Sequence, residues 1–476
     1  MDHEQLTQLT ATELANLIAS KQLSPVEVME AYLERIECFD PLLNAYITVC
    51  RETALREAYR AEEAIMRGDE IGPLHGLPFA VKDQFETAGI RTTAGSTILA
   101  DYIPSRDATA VTRARRAGAI LLGKLNMTEF AAGLGDPFKY GEPKNPWDLT
   151  RGVGGSSSGS AVAIAASLCA ISLGEDTGGS MRQPAALAGI VGVRPTWSLV
   201  SRCGMLPLCW SMDAAGPMTR TVEDAALFLR AIAGHDPADP QTSRRPVPDY
   251  IKELNRSIAG VRVGMVAELM DERFVAGEIL QRVQEAAAQL EQLGAIVEEV
   301  SLPLLAEVGP AMGIISGSHG AFVHRKWLRE RPEDFGPILR RRWLAAALYP
   351  AQVYHKATQI RASFRQAWLA LFQEYDVLIS PTTRGVAGKI HYRSFANTRQ
   401  EAERASTWPR CPTMAASLAG TPAMTVPCGF NKDNLPIGLQ IMTDRFREDL
   451  MFNVGYAFAQ SVPWLTRRPS LATSEF

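Results

Sequence analysis

The sequence predicts an α/β fold, a central β-sheet covered by helices on both faces. Two observations carry that reading. Short apolar runs of strand length alternate along the chain with longer amphipathic stretches. Apolar residues make up 46% of the 476, enough for a sizeable core. No repeat at a fixed period and no low-complexity tract interrupts the pattern. A single domain over residues 1–476 is therefore expected, with the Pro-rich stretch at 236–250 as a surface loop or weak boundary.

From the N-terminus, residues 10–36 predict an amphipathic helix pair, with Ser24 and Pro25 as cap and first-turn proline of the second half. "RETALREAYRAEEAIMRGD" predicts a solvated helix ending near Gly68, and "LPFAVKD" a buried strand with Lys82 at its carboxyl end. Residues 107–118 predict a helix and "AILLGKL" a strand; the stretch "RGVGGSSSGSA" then feeds an alanine-rich helix starting near Ser160. Strand-like "AISLG" leads into the loop "EDTGGSMRQPAA". Beyond it the pattern gives a helix over 221–233, strand "VRVGMV", a helix over 275–293 and strand "AIVEEV". Helical sequence to about residue 374 and the strands "DVLISPT", "PAMTVPCG" and "IGLQIMT" complete the chain.

Charge is nearly balanced, 49 Lys and Arg against 52 Asp and Glu, so no basic surface points to nucleic acid. The expected partner is a small molecule. The seven cysteines are scattered without a C-x-x-C pair and read as reduced thiols of a cytoplasmic protein. The N-terminus lacks a cationic start followed by an apolar stretch, and "AVAIAASLCAISLG" is too short to span a bilayer. Neither an H-E-x-x-H motif nor a Cys/His cluster is present, so no metal or cofactor is expected.

The chemistry concentrates in two glycine and serine loops. A linker reading of "GGSSSGSA" fails because the stretch runs straight into an apolar helix. A phosphate loop needs a lysine after its last glycine, where Ser160 and Ala161 stand instead. As a G-x-S-x-G turn it would make Ser157 a nucleophile, but the preceding "NPWDLTRGV" is polar and proline-broken. The histidines that would serve it, at 235, 319, 324, 355 and 391, have no telling neighbours. In the second loop, "DTGGSMRQPA", two glycines before Ser180 let backbone N–H groups crowd towards one point, as an oxyanion hole requires. An ordinary glycine turn capped by serine remains the alternative.

"LHGLPFAVKDQ", "GGSSSGSAVAIAA" and "DTGGSMRQPAALAGIVGVRPT", in this order and spacing, closely resemble the amidase signature family. The resemblance extends to "LSPVEVMEAYLERI", "SMDAAGPMTRTVEDAA", "AGTPAMTVPCGF" and "LPIGLQI", and so covers most of the chain. It implies a mixed sheet and a Ser-Ser-Lys triad, with Ser180 as nucleophile, Ser156 as bridging serine after a cis bond from Gly155, and Lys82 as base. Backbone N–H groups of Thr177, Gly178, Gly179 and Ser180 would form the oxyanion hole. By the same resemblance Ser157 supports the lysine, while Ser158 opens a helix. Asp176 and Arg182, which flank the hole, are expected either to hold the loop or to contact substrate, and Asp213 to support its loop. Such roles suit the residues: an amide needs a base as the hydroxyl attacks and an acid as the amine leaves, and a desolvated lysine can be both. Cys203 and Cys209 read as small buried hydrophobes.

Within this family "SRCGMLPLCWSMDAAGPMTR" looks closer to stand-alone enzymes, with Met205, Leu206 and Trp210 as expected pocket walls. The expectation is thus a stand-alone hydrolase of small amides, carbamates or ureas, engaging neither nucleic acid nor membrane and assembling as a homodimer. The alternative is a partner-dependent glutamine amidohydrolase subunit of a transamidosome; a more remote one is a non-catalytic scaffold.

Overall fold

The computed structural model describes residues 1–390 and 411–471. Strands β1 (Tyr46–Val49), β2 (Pro78–Lys82), β3 (Ile120–Leu125), β4 (Lys144–Asn145), β5 (Asp148–Gly152), β6 (Ile171–Asp176), β7 (Val191–Arg194) and β8 (Ala214–Thr219) come from the first half of the chain. The second half contributes β9 (Arg262–Val266), β10 (Ile296–Val300), β11 (Val377–Pro381), β12 (Ala423–Phe430) and β13 (Pro436–Thr443). Eleven of these form one sheet in the order β1-β3-β2-β6-β8-β7-β12-β13-β11-β9-β10, while β4 and β5 pair separately.

The sheet is mixed, as the resemblance implies. β2 runs parallel to both β3 and β6, whereas β8 pairs antiparallel with β6 and β7. Helices cover both faces; the helix Ser158–Ala165, buried along its whole length, lies against β2, β3, β6 and β8. Strands from before and after residues 236–250 share the sheet, so that segment separates no sheets. Its Asp236 is instead tied back to Thr109 and Ser201.

Local chemistry sets the element ends. Ser24 caps the helix Pro25–Leu43 with its hydroxyl on Val26 N and Glu27 N, and Pro25 occupies a first-turn position. That helix runs past residue 36 and through Pro41 to Asn44, which ends it in the left-handed conformation. The helical sequence before residue 374 is broken into Val308–Val323, Arg325–Glu330, Pro337–Ala346 and Ala351–Leu371.

Three strands of the large sheet, β1, β7 and β8, have no counterpart in the sequence reading. β1 and β7 are only four residues long. β8, "AAGPMT", has Thr219 at its end as its one β-branched residue and contains Gly216 and Pro217. Its glycine answers to packing. A Cβ on Gly216 would stand 2.2 Å from Val193 O and 3.0 Å from Met181 Cε; one on Gly174 of β6 would meet Met181 Cγ at 2.8 Å. On β7, a Cβ on Gly192 would come 3.0 Å from Met181 O. Bare backbone on three neighbouring strands thus makes the bed in which Met181, the residue after Ser180, lies.

Candidate active site

The carboxyl ends of β2 and β6 and the start of the helix Ser158–Ala165 converge on one buried point. Lys82 closes β2, and its side chain is fully buried. Its Nζ lies 2.7 Å from Ser156 Oγ and donates to Glu175 Oε2 at 2.8 Å and to Glu175 O at 3.4 Å. Burial lowers the Lys82 pKa, and the neighbouring Glu175 carboxyl only partly offsets that.

The Gly155–Ser156 peptide bond is cis, and the stretch 156–158 is buried. Ser157 donates its backbone N–H to Ser180 O at 3.1 Å, which clamps the two serine loops together. Its hydroxyl donates to Glu175 O at 3.1 Å, so Ser157 reaches Lys82 only through the carbonyl that both engage. Ser158 begins the helix and turns its hydroxyl back to Gly154 O at 2.6 Å. Ser180 is half-buried while Lys82 and Ser156 are buried, so the lysine and first serine lie behind the residue that faces outward.

The loop between β6 and the helix Arg182–Ala188 is shaped by Asp176. Its carboxylate accepts from Gly179 N at 2.8 Å and from Arg182 Nε at 3.0 Å and Nη2 at 2.9 Å, with Arg194 Nη1 at 3.3 Å. Burial alone would raise this carboxyl; the two guanidinium groups overcome it and hold Asp176 well below the usual carboxylate range. Arg182 also donates to Gln440 Oε1 and Ser417 Oγ, so Asp176 and Arg182 sit in a structural ion-pair network. Gly179 carries a φ of +120°, and its N–H is committed to Asp176. Thr177, Gly178 and Ser180 are then the loop's candidate oxyanion donors. Asp213 accepts from Leu208 N, Cys209 N and Thr177 Oγ1.

The other expected site residues are placed as follows. Met205 is buried and bridges Phe85, and Leu206 exchanges backbone and side-chain bonds with Gln84, so both brace the chain leaving Lys82. Trp210 is 53% exposed. Cys209 is buried with Sγ 3.2 Å from His319 Nδ1, whereas Cys203 is only half-buried. His324 is stacked between Phe130 and Trp343, and His391 lies outside the described residues.

Glu175 was absent from the sequence reading. The available signal was a carboxylate directly after the buried strand "AISLG"; its partner Lys82 is 93 positions away in the chain.

A family profile described as Amidase matches residues 27–452. The chain is 39% identical to one of the glutamyl-tRNA(Gln) amidotransferase subunits of Moorella thermoacetica, over 99% of this chain and 100% of that one. Among solved structures it resembles the corresponding glutamyl-tRNA(Gln) amidotransferase subunit from Thermotoga maritima, with 32% identity, a TM-score of 0.81 and 96% of each chain covered. It also resembles a chain of a vestigial complex that bears on the origins of an s-triazine catabolic enzyme. There the identity is 36% and the TM-score 0.88, over 95% of this chain and 98% of that one.

These likenesses overturn the expectation of a stand-alone hydrolase of small amides with no nucleic-acid partner, because relatives matching from end to end are amidotransferase subunits named for a tRNA.

Proposed function

The chain belongs to the amidase family, enzymes of amide C–N bonds, and from that premise we propose that it is the glutamine-hydrolysing subunit of an amidotransferase acting on glutamyl-tRNA(Gln). The observation that carries the proposal is likeness to one subunit of that enzyme over 99% of this chain, joined to a buried Lys82–Ser156 pair beside the Ser180 loop. We further place the protein in the cytoplasm, where such a tRNA would be met; no helix among the described residues is long and apolar enough to cross a membrane.

The chemistry follows from the residues. Ser180 Oγ attacks the side-chain amide carbon of glutamine, its proton passing to Ser156 Oγ as the Ser156 proton passes to Lys82 Nζ. The oxyanion is held by N–H groups of Thr177, Gly178 and Ser180. Lys82 then returns its proton through Ser156 to the departing amine, and ammonia leaves for the partner subunit. Water attacks the acyl-enzyme by the same relay and releases glutamate.

The test is glutamine turnover, read as glutamate and ammonia, by the chain alone and reconstituted with the other amidotransferase subunits and glutamylated tRNA. The expected result is slow hydrolysis alone and efficient, tRNA-coupled amidation in the complex. Full-rate hydrolysis by the chain alone, or a complex that forms no amidated tRNA, argues against it.

A further inference from the structure

Behind Lys82 the structure contains a buried acid chain that the relay through Ser156 does not use. Glu175 Oε2 accepts from Lys82 Nζ at 2.8 Å, and Glu175 Oε1 lies 2.5 Å from Thr177 Oγ1. The same hydroxyl lies 2.7 Å from Asp213 Oδ1. A threonine hydroxyl has one hydrogen and can donate to only one of two carboxyl oxygens. The second must itself carry a proton and donate to Thr177 Oγ1. Asp213 is the better-supported carboxylate, since Leu208 N and Cys209 N both donate to it at 2.9 Å. The proton therefore rests on Glu175 Oε1.

We propose that Glu175, Thr177 and Asp213 store one proton and move it between the two carboxyls as Lys82 gains and loses its own, making Glu175 the positioning residue that sets the charge of the base. The proposal rests on the reading of Ser180, Ser156 and Lys82 as the catalytic unit. When the Ser180 proton reaches Lys82 through Ser156, the Glu175 proton passes to Thr177 Oγ1 and the Thr177 proton to Asp213 Oδ1. A new ammonium then faces a new carboxylate, and every proton is accounted for. Departure of the amine reverses each transfer.

The surrounding charges agree. Asp176, next to Glu175 on the chain, is matched by Arg182 and Arg194, which leaves one positive charge. The two carboxyls sharing a proton supply one negative charge. The cluster is then neutral with Lys82 uncharged, as a base in a buried site must be. Arg194 of β7 is close enough to feel the Glu175 charge, and Arg202 faces Asp213 from the loop before β8. Burial pushes both Glu175 and Asp213 towards the protonated form, with Lys82 opposing it at Glu175 and the Thr177 hydroxyl opposing it at Asp213.

The test measures phosphonylation of Ser180 in the full chain by a fluorophosphonate, which forms a P–O bond and expels fluoride, followed by intact mass across pH. This probe needs no knowledge of substrate or partner. In Glu175→Gln the carboxylate that balances the Lys82 ammonium is gone. The rate should fall on the order of tenfold, and the acid limb of its profile should move down by about one pH unit. Thr177→Val should reproduce the loss in rate, and Thr177→Ser should restore it.

Infrared difference spectra of the unmodified chain should show a buried protonated carboxyl at neutral pH that vanishes in Glu175→Gln. A Glu175→Gln profile superimposed on the parent, equal rates for Thr177→Val and Thr177→Ser, or no protonated carboxyl in the infrared overturns the proposal. If Glu175→Gln does not fold, the threonine pair and the infrared spectrum of the parent decide. Absence of labelling at Ser180 in the parent counts against the catalytic unit itself, while the infrared band still reports on the stored proton.

Discussion

Lys82 and Ser156 are fully buried, 2.7 Å apart, and among the described residues no histidine is hydrogen-bonded to either. Activity should therefore depend on them as one unit with Ser180. Ser180→Ala is expected to abolish glutamine turnover, on the order of a million-fold where a triad acts together, and Lys82→Ala nearly so. The double variant should be little worse than Ser180→Ala alone; additive losses in kcat would break the unit apart. Ser157→Ala should keep substantial activity, because its hydroxyl meets the Glu175 carbonyl and not the lysine. Another residue, His324, has a different part. It is buried among Phe130, Trp327 and Trp343, and burial pulls its pKa down to about 3. The unfolded chain takes up this proton near an ordinary value of about 6.5, so stability falls as pH drops from there towards the folded value. Urea titrations across that window should show a flatter decline for His324→Leu than for the parent. Parallel curves would remove His324 from the acid response.

At the scale of elements, the Ser180 loop is held by close approach, and two glycines show how differently that can be built. A Cβ on Gly179 would stand 2.1 Å from Thr413 Oγ1, at a φ of +120° that side chains avoid. One on Gly174 would have side chains as its nearest contacts, Met181 Cγ at 2.8 Å and Met218 Sδ at 3.0 Å. Gly179→Ala should therefore displace the loop and cut kcat by orders of magnitude, whereas Gly174→Ala should cost less, because the methionine side chains it meets can re-pack by a few tenths of an ångström while backbone at Gly179 cannot; equal losses would mean that the loop is not the sensitive element. The same contrast explains what the sequence discloses. β2 and β3 are mostly apolar runs, each carrying one lysine near its carboxyl end, and are legible as strands; so are the two serine loops, because their glycines and serines are local signals. β8 is not legible, since its Ala-Ala-Gly-Pro start is chosen for what lies against it across the sheet. Glu175 hides for a related reason: a carboxylate after a strand reads as a turn residue until the fold brings Lys82 to it. The Gly179 N–H likewise reads as an oxyanion donor until Asp176 is seen to take it.

For the whole molecule, the reading of a glutaminase subunit separates two reactions in space: this chain releases ammonia, and a partner uses it on glutamyl-tRNA(Gln). The proposed triad serves the first of these. One sheet carries Lys82 at the end of β2 and the Ser180 loop at the end of β6 as neighbours, so on that reading the proposed triad lies within this one chain. Such a division makes an unequal demand on the nitrogen source. In the reconstituted complex, Ser180→Ala should lose amidation driven by glutamine yet keep amidation driven by added ammonium, because free ammonia bypasses the acyl-enzyme step and needs only the partner's site. Mass spectrometry of the aminoacyl group released from tRNA distinguishes the two. Were Ser180→Ala to lose both reactions while the complex stays assembled, this chain would have to take part in the transfer itself, and the proposed division of labour would be wrong.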